Sequence, residues 1–171
     1  MDSIRIFGYK SFKKLSVQLH PINLLIGANG AGKSNFLSLF EMLGNIYEKR
    51  LGAYVAQVGG VDKLLYQGRK VTDRIAVNLL IAKSEYDLAL LESDGKLIVE
   101  REVVRCYDDV CPLDLMKKSV ITEYQSESSL KDHIEEDLSN YISQIRKFHF
   151  HDTGRRSPFT ADSHIVNDAY R

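Results

Sequence analysis

Residues 27–34 read Gly27-Ala28-Asn29-Gly30-Ala31-Gly32-Lys33-Ser34, which satisfies every fixed position of G-x-x-x-x-G-K-S/T. The chemistry of that spacing is specific. Glycines allow the backbone to curl so that successive N–H groups face a polyphosphate, and the helix that follows adds its positive end. Lys33 has the reach to neutralise β- and γ-phosphate charge, and the Ser34 hydroxyl can ligate the Mg²⁺ that accompanies ATP or GTP. The flanks fit this reading. Pro21-Ile22-Asn23-Leu24-Leu25-Ile26 is an apolar run suited to a buried strand. Behind the loop, Phe36, Leu37, Leu39, Phe40, Leu43, Ile46 and Tyr47 recur at helical spacing. Lys49 and Arg50 are expected to close that helix at its negative end, with Gly52 as the stop. The bland alternative is a glycine-rich turn that happens to contain Lys-Ser.

Bulk properties narrow the class. A chain of 171 residues with 44% apolar and 27% charged residues has the makings of one globular domain. With 23 basic and 23 acidic residues the net charge is zero, which gives no whole-surface nucleic-acid footprint and leaves room for a local basic face. No apolar stretch approaches the ~20 residues of a membrane span, and the N-terminus reads as a strand, so no membrane association and a cytoplasmic location are expected. Cys106 and Cys111 are spaced unlike a redox pair or a zinc half-site and read as reduced, partly buried thiols.

Along the chain, Ser3–Phe7 and Leu15–Leu19 alternate with period two around the basic turn Lys10-Ser11-Phe12-Lys13-Lys14. Charge on both sides of Phe12 suits contact with a nucleotide, with Lys13 as the candidate; a solvated turn with one anchoring aromatic fits equally. Ala53–Val58 suggests a further helical turn before the Gly59-Gly60 break. Three strands are predicted over Arg74–Ala82, Tyr86–Glu92 and Lys96–Val104, the last two joined by Ser93-Asp94-Gly95, a strong hairpin signal. This block is an antiparallel meander, unlike the strand–helix alternation of a simple doubly wound nucleotide-binder. Arg105–Glu127 has no clear pattern. Leu130, Ile134, Leu138, Tyr141, Ile142 and Ile145 predict a second long helix, with Ser128 or Ser129 as N-cap. Phe148-His149-Phe150-His151-Asp152 alternates as a strand, and 155–171 is a polar tail.

A hydrolysing enzyme of this type also needs an apolar strand ending in an acid and a group that positions water. Neither Asn78–Ala82, which ends in Lys83, nor Leu97–Val99, which runs into Glu100-Arg101, supplies one convincingly. The phosphate cradle is there; the hydrolytic half is not.

Gly27-x-Asn29-Gly30-x-Gly32-Lys33-Ser34-Asn35, preceded by the strand, basic turn and strand of residues 3–19, resembles the N-terminal ATP-binding lobe of ABC-type ATPases of the SMC and RecF kind. Asn29 and Asn35 carry much of that likeness. Gly59-Gly60-Val61-Asp62-Lys63-Leu64-Leu65-Tyr66-Gln67-Gly68 and Phe148–Thr153 are similar to segments of bacterial AAA-family ATPases related to RecF, some of which act in anti-phage defence beside a nuclease. The resemblance implies an α/β lobe, a P-loop mixed sheet flanked by a β-meander, spanning 1–154 and continuing beyond the tail into a further half. That half would bear a helical arm, a signature motif, an acidic strand and a switch histidine.

It further implies ATP and Mg²⁺ as cofactors, held by Gly27, Ala28, Asn29, Gly30, Ala31, Gly32, Lys33, Ser34 and Asn35. Lys33 would be the catalytic group and Ser34 the metal ligand. A second ATPase head would complete the site, with a nuclease and DNA as associated partners. Chain order sets His151-Asp152 near the place where such heads carry a water-positioning residue, usually glutamine. The residues alone are equally compatible with a half-buried strand whose histidines face solvent, and a metal cluster is the minor third reading. Two other function classes compete: an autonomous P-loop kinase or GTPase, and a non-catalytic module that docks onto a partner.

Overall fold

In the computed structural model, residues 1–82, 84–106, 118–132 and 142 are described. Six strands form one sheet: β1 (Ser3–Tyr9), β2 (Phe12–Gln18), β3 (Arg74–Ile81), β4 (Ser84–Ser93), β5 (Lys96–Cys106) and β6 (Lys118–Gln125). Their order is β2-β1-β3-β4-β5-β6, and every pairing is antiparallel. The meander read from the sequence is therefore present, with β6 added from the patternless 105–127 stretch. Asp94 and Gly95 both take positive φ, 51° and 78°, which is the geometry a two-residue hairpin turn needs.

Alternation decides which face is dry. Ile4 and Ile6 of β1, Ile75, Val77, Leu79 and Ile81 of β3, and Tyr86, Leu88 and Leu90 of β4 are all buried. Onto that face packs α1 (Lys33–Tyr47), whose Phe36, Leu39, Met42, Leu43 and Ile46 fall on one stripe and join the same core. A shorter helix, α2 (Leu51–Gln57), adds Leu51, Tyr54 and Val55. At about 25 cal/mol per Å² of apolar surface, this stripe-on-sheet burial is the main favourable term in the lobe.

Two helix-end expectations need correction. Helix α1 stops at Tyr47, earlier than Arg50, because Lys49 adopts φ 55° and turns the chain. Its N–H bonds the Ile46 carbonyl at 3.0 Å, and the Arg50 N–H reaches the Asn45 carbonyl at 2.8 Å. Gly52 is no stop; it sits in the first turn of α2. There the Glu127 carboxylate accepts the N–H groups of Leu51 (2.8 Å) and Gly52 (3.2 Å), placing negative charge at a positive helix end.

A third correction concerns Pro21–Ile26, expected as a buried strand within a mixed sheet. No strand forms there, and Ile22, Leu24 and Ile26 are 89%, 82% and 84% exposed. The physical reason is the lack of a neighbour. A strand is buried only when flanked, and among the described residues no backbone hydrogen bond joins residues 22–26 to another strand. The described sheet is consequently all antiparallel.

Of the second long helix, a 3-10 turn at Leu130–Asp132 and Ile142 are described; Ser128 Oγ accepts the Leu130 N–H at 3.0 Å, as expected of an N-cap. Cys111, the rest of that helix, Phe148–Asp152 and the 155–171 tail lie outside the described residues.

Two local constraints fix the register of this frame. At Gly8 (φ 72°) a Cβ would sit 2.1 Å from the Arg74 carbonyl oxygen. Beyond it β1 leaves β3 and pairs instead with the 64–66 segment: Tyr66 N–H to Gly8 O at 2.9 Å, Lys10 N–H to Leu64 O at 2.7 Å. Secondly, β4 and β5 pair Leu90 with Val99 but Ala89 with Arg101, so Glu100 is the extra residue of a bulge. The bulge shifts the alternation by one and turns Glu102 into the core, where it is fully buried. Glu102 is satisfied by Tyr86 OH at 2.5 Å, Ser128 Oγ at 2.6 Å and the Ser129 N–H at 3.1 Å.

Gly8→Ala is expected to cost about 3 kcal/mol in urea unfolding, from a positive φ combined with a backbone clash. Gly44→Ala, in α1 with open space around its Cβ position, should gain about 0.5–1 kcal/mol. Burial, reinforced by the Glu102 carboxylate, pushes the Tyr86 hydroxyl well above its ordinary value of 10.0. The unfolded chain thus releases this proton first, and the stability it contributes is full below pH 10 and lost as pH rises above it. Tyr86→Phe should cost about 1–3 kcal/mol at neutral pH by leaving Glu102 under-satisfied. It should also flatten the alkaline loss by up to about 1.4 kcal/mol per pH unit, readable as unfolding free energies between about pH 8 and about pH 11.

Candidate functional site

The loop of residues 27–32 is closed by its own backbone. Gly30 and Gly32 take φ 84° and 95°, and the Ala31 N–H bonds the Ala28 carbonyl at 3.2 Å. The ring is tight enough that a Cβ on Gly27 would touch the Ala31 methyl at 3.3 Å. Gly32 is the N-cap of α1 and offers no side chain to its first turn; the Gly32 carbonyl accepts the Phe36 N–H at 2.9 Å. The first N–H groups of α1 therefore point out of the helix end with no side-chain cap, as an anion site requires.

Lys33 folds back over this loop. Its Nζ donates to the carbonyls of Gly27 at 2.5 Å and Ala28 at 2.7 Å. These are partners that an incoming phosphate can replace with stronger, charge-assisted bonds. Asn29, Ala31 and Ser34 are exposed at the loop's rim. The glycine cradle, the uncapped helix end and a lysine with the loop in reach fit a nucleotide phosphate chain, and Ser34 is the hydroxyl available for its Mg²⁺. When bound, the nucleotide supplies the phosphoanhydride, and this chain's own part is to bind, orient and neutralise it.

The turn between β1 and β2 closes one side of the loop. Tyr9 pairs with Phe12, so Lys10 and Ser11 make the turn itself. A Cβ on Gly32 would meet the Phe12 ring at 3.1 Å and Ser11 Oγ at 3.2 Å. Asn35 Nδ2 donates to Ser11 Oγ at 2.9 Å, joining the helix to the turn. Beneath, Tyr9 OH and Ser38 Oγ share a buried hydrogen bond of 2.9 Å, Lys10 Nζ donates to the same Oγ at 2.8 Å, and Ser38 Oγ donates to the Asn35 carbonyl at 2.8 Å. Burial raises the Tyr9 hydroxyl far above its usual range, so it stays a neutral donor.

The structure thus brings the residues from Gly27 to Asn35 together. Lys13 is an exposed β2 residue one position after Phe12. The turn meets the glycine loop through Ser11 and Phe12. Phe12 thus acts as the anchoring aromatic of the turn, and the turn's length is the signal for Ser11, since two residues between paired Tyr9 and Phe12 aim it at the loop. His151 and Asp152 lie outside the described residues.

A second set of residues borders the same turn. A cleft of about 800 Å³ opens beside Asn35 and is lined by Lys10, Lys63, Gln67, Arg69 and Lys70. Its residues come from the turn, α1 and the 59–70 stretch.

Among the described residues no helix is long and apolar enough to cross a membrane, and no group of three or more His, Cys, Asp or Glu side chains is placed to hold a metal ion. No curated protein matches the chain. A family model described as AAA ATPase domain matches residues 1–154, the whole stretch that carries the glycine loop, its helix and the meander. The chain belongs to the AAA ATPase domain family.

Proposed function

We propose that this chain is the ATP- and Mg²⁺-binding first lobe of an SMC/RecF-like ATPase head. The observation that carries the reading is the loop itself: two left-handed glycines, an uncapped α1 N-terminus and Lys33 hydrogen-bonded across the ring. In this reading the N–H groups of residues 27–34 cradle the phosphates, Lys33 neutralises the β/γ charge and Ser34 ligates Mg²⁺. Ser11 and Phe12 support the loop from the side, which pre-organises it.

Hydrolysis in this reading needs a further half that supplies an acidic strand and a signature motif. The apolar stretch 22–26 supports it, since Leu24 and Ile26 are more than four-fifths exposed immediately before the loop. A flanking strand would cover them and bring its own end beside Ser34. A second head would then close over the nucleotide, and the switch would serve DNA repair or phage defence, with a nuclease as associate, in the cytoplasm. The antiparallel β-meander favours this reading over an autonomous kinase or GTPase, which would call for a parallel sheet.

Binding of a fluorescent ATP analogue with Mg²⁺ tests the proposal. Lys33→Ala should weaken it by about 10- to 100-fold, the loss expected of one or two charge-assisted contacts. Unchanged affinity would remove any role for the loop. Turnover by the 171-residue chain above that of the Lys33→Ala variant would instead show that no further half is needed.

A further inference from the structure

The cleft beside Asn35 departs from the rest of the chain in charge. The chain as a whole is neutral, yet Lys10, Lys63, Arg69 and Lys70 line this one concavity against the single carboxylate of Asp62. That carboxylate is already committed. Asp62 Oδ1 accepts the Arg69 N–H at 2.9 Å, and Oδ2 pairs with Arg69 Nε at 3.3 Å. The clamp holds the 65–72 loop in shape, assisted by turn bonds from Gly68 to Leu65 and from Val71 and Thr72 to Gly68. Lys63 and Lys70 remain exposed at the rim. Lys10 is held at the other side over the Tyr9 ring, 5.4 Å from its centroid.

The lining also says what kind of anion fits. Leu65 is the one apolar side chain among the lining residues and is itself buried, and no aromatic ring lines the cleft. A mononucleotide would call for an apolar or aromatic slot for its base. A row of cations without such a slot reads charge alone, as contacts to a phosphodiester backbone do.

We propose that the cleft formed by Lys10, Lys63, Arg69 and Lys70 docks the phosphate backbone of a nucleic acid, independently of base sequence, beside the nucleotide loop. The inference rests on the DNA-linked reading above and adds to it a place on this chain. Asn35 belongs to both sites, lining the cleft and bonding Ser11 against Gly32. The backbone would therefore lie one side chain away from the nucleotide. Arg69 shapes the loop through Asp62, so the residues to test are Lys63 and Lys70, whose side chains make no ion pair among the described residues.

The test uses the full chain and a fluorescein-labelled duplex of about 20 base pairs and arbitrary sequence, followed by anisotropy from about 50 to about 200 mM salt. Wild type should bind, more weakly as salt rises. The Lys63→Ala/Lys70→Ala double variant should lose about tenfold or more in affinity at low salt and shallow the log–log salt slope by about 2. Its affinity for the fluorescent ATP analogue should match wild type. Failure of wild type to bind the duplex, or equal duplex affinity in the double variant, would overturn the proposal. A parallel loss of ATP-analogue binding would overturn it too, by making these lysines part of the nucleotide site. The Lys33→Ala variant separates the two readings: unchanged ATP-analogue binding there undermines the nucleotide site and leaves the duplex arm standing.

Discussion

Gly8 lies closer to the backbone of a neighbouring strand than any side chain allows, and much of the lobe's geometry depends on that approach. Because nothing projects from it toward the Arg74 carbonyl, β1 can bend off β3 and bond to residues 64–66 within two positions. That bend carries Tyr9 under α1 and aims the Lys10-Ser11 turn at the glycine loop. It also brings the 59–70 stretch alongside, so the phosphate loop and the basic cleft share one turn as their common wall. A wider β1 would separate elements that must meet within hydrogen-bond distance.

The polar chemistry in the interior is arranged by the same economy of partners. Ser38 stands where Tyr9, Lys10 and the Asn35 carbonyl converge, and Tyr54 OH reaches its carbonyl at 3.3 Å. One small residue, through its hydroxyl and its carbonyl, thus ties the sheet, the loop-bearing helix and α2 together. On the far side of the core, Glu102 is buried with three neutral donors and, among the described residues, no cation, a costly placement that these hydrogen bonds offset. It links β4 and β5 to the 128–130 segment, and Glu127, next in the chain, caps α2.

Much of this was readable from residue types. Alternation located β3, β4 and β5 because each has one dry face, and Asp94-Gly95 marked their hairpin because few other pairs tolerate two positive φ angles. The loop motif named its own residues. What escaped the sequence has physical causes. The apolar run at 21–26 has the composition of a buried strand, but burial needs a partner, and apolarity does not provide one. The end of α1 was misplaced because Lys49 adopts the left-handed turn usually left to glycine. Glu102 defied alternation because an extra residue, Glu100, shifted the phase. That Lys63 and Lys70 border the Lys10 turn was not legible, since only the bend at Gly8 makes neighbours of segments some fifty residues apart.

The apolar ribbon of residues 22–26 has a consequence for the life of the protein before any nucleotide arrives. Four bulky aliphatic side chains are exposed to water there, beside backbone groups that no described strand engages. An apolar stretch with unpaired backbone is open to pairing with another copy of itself, as flat apolar edges are. A cover over that ribbon would therefore do two things at once, removing apolar surface from water and closing a route to self-association.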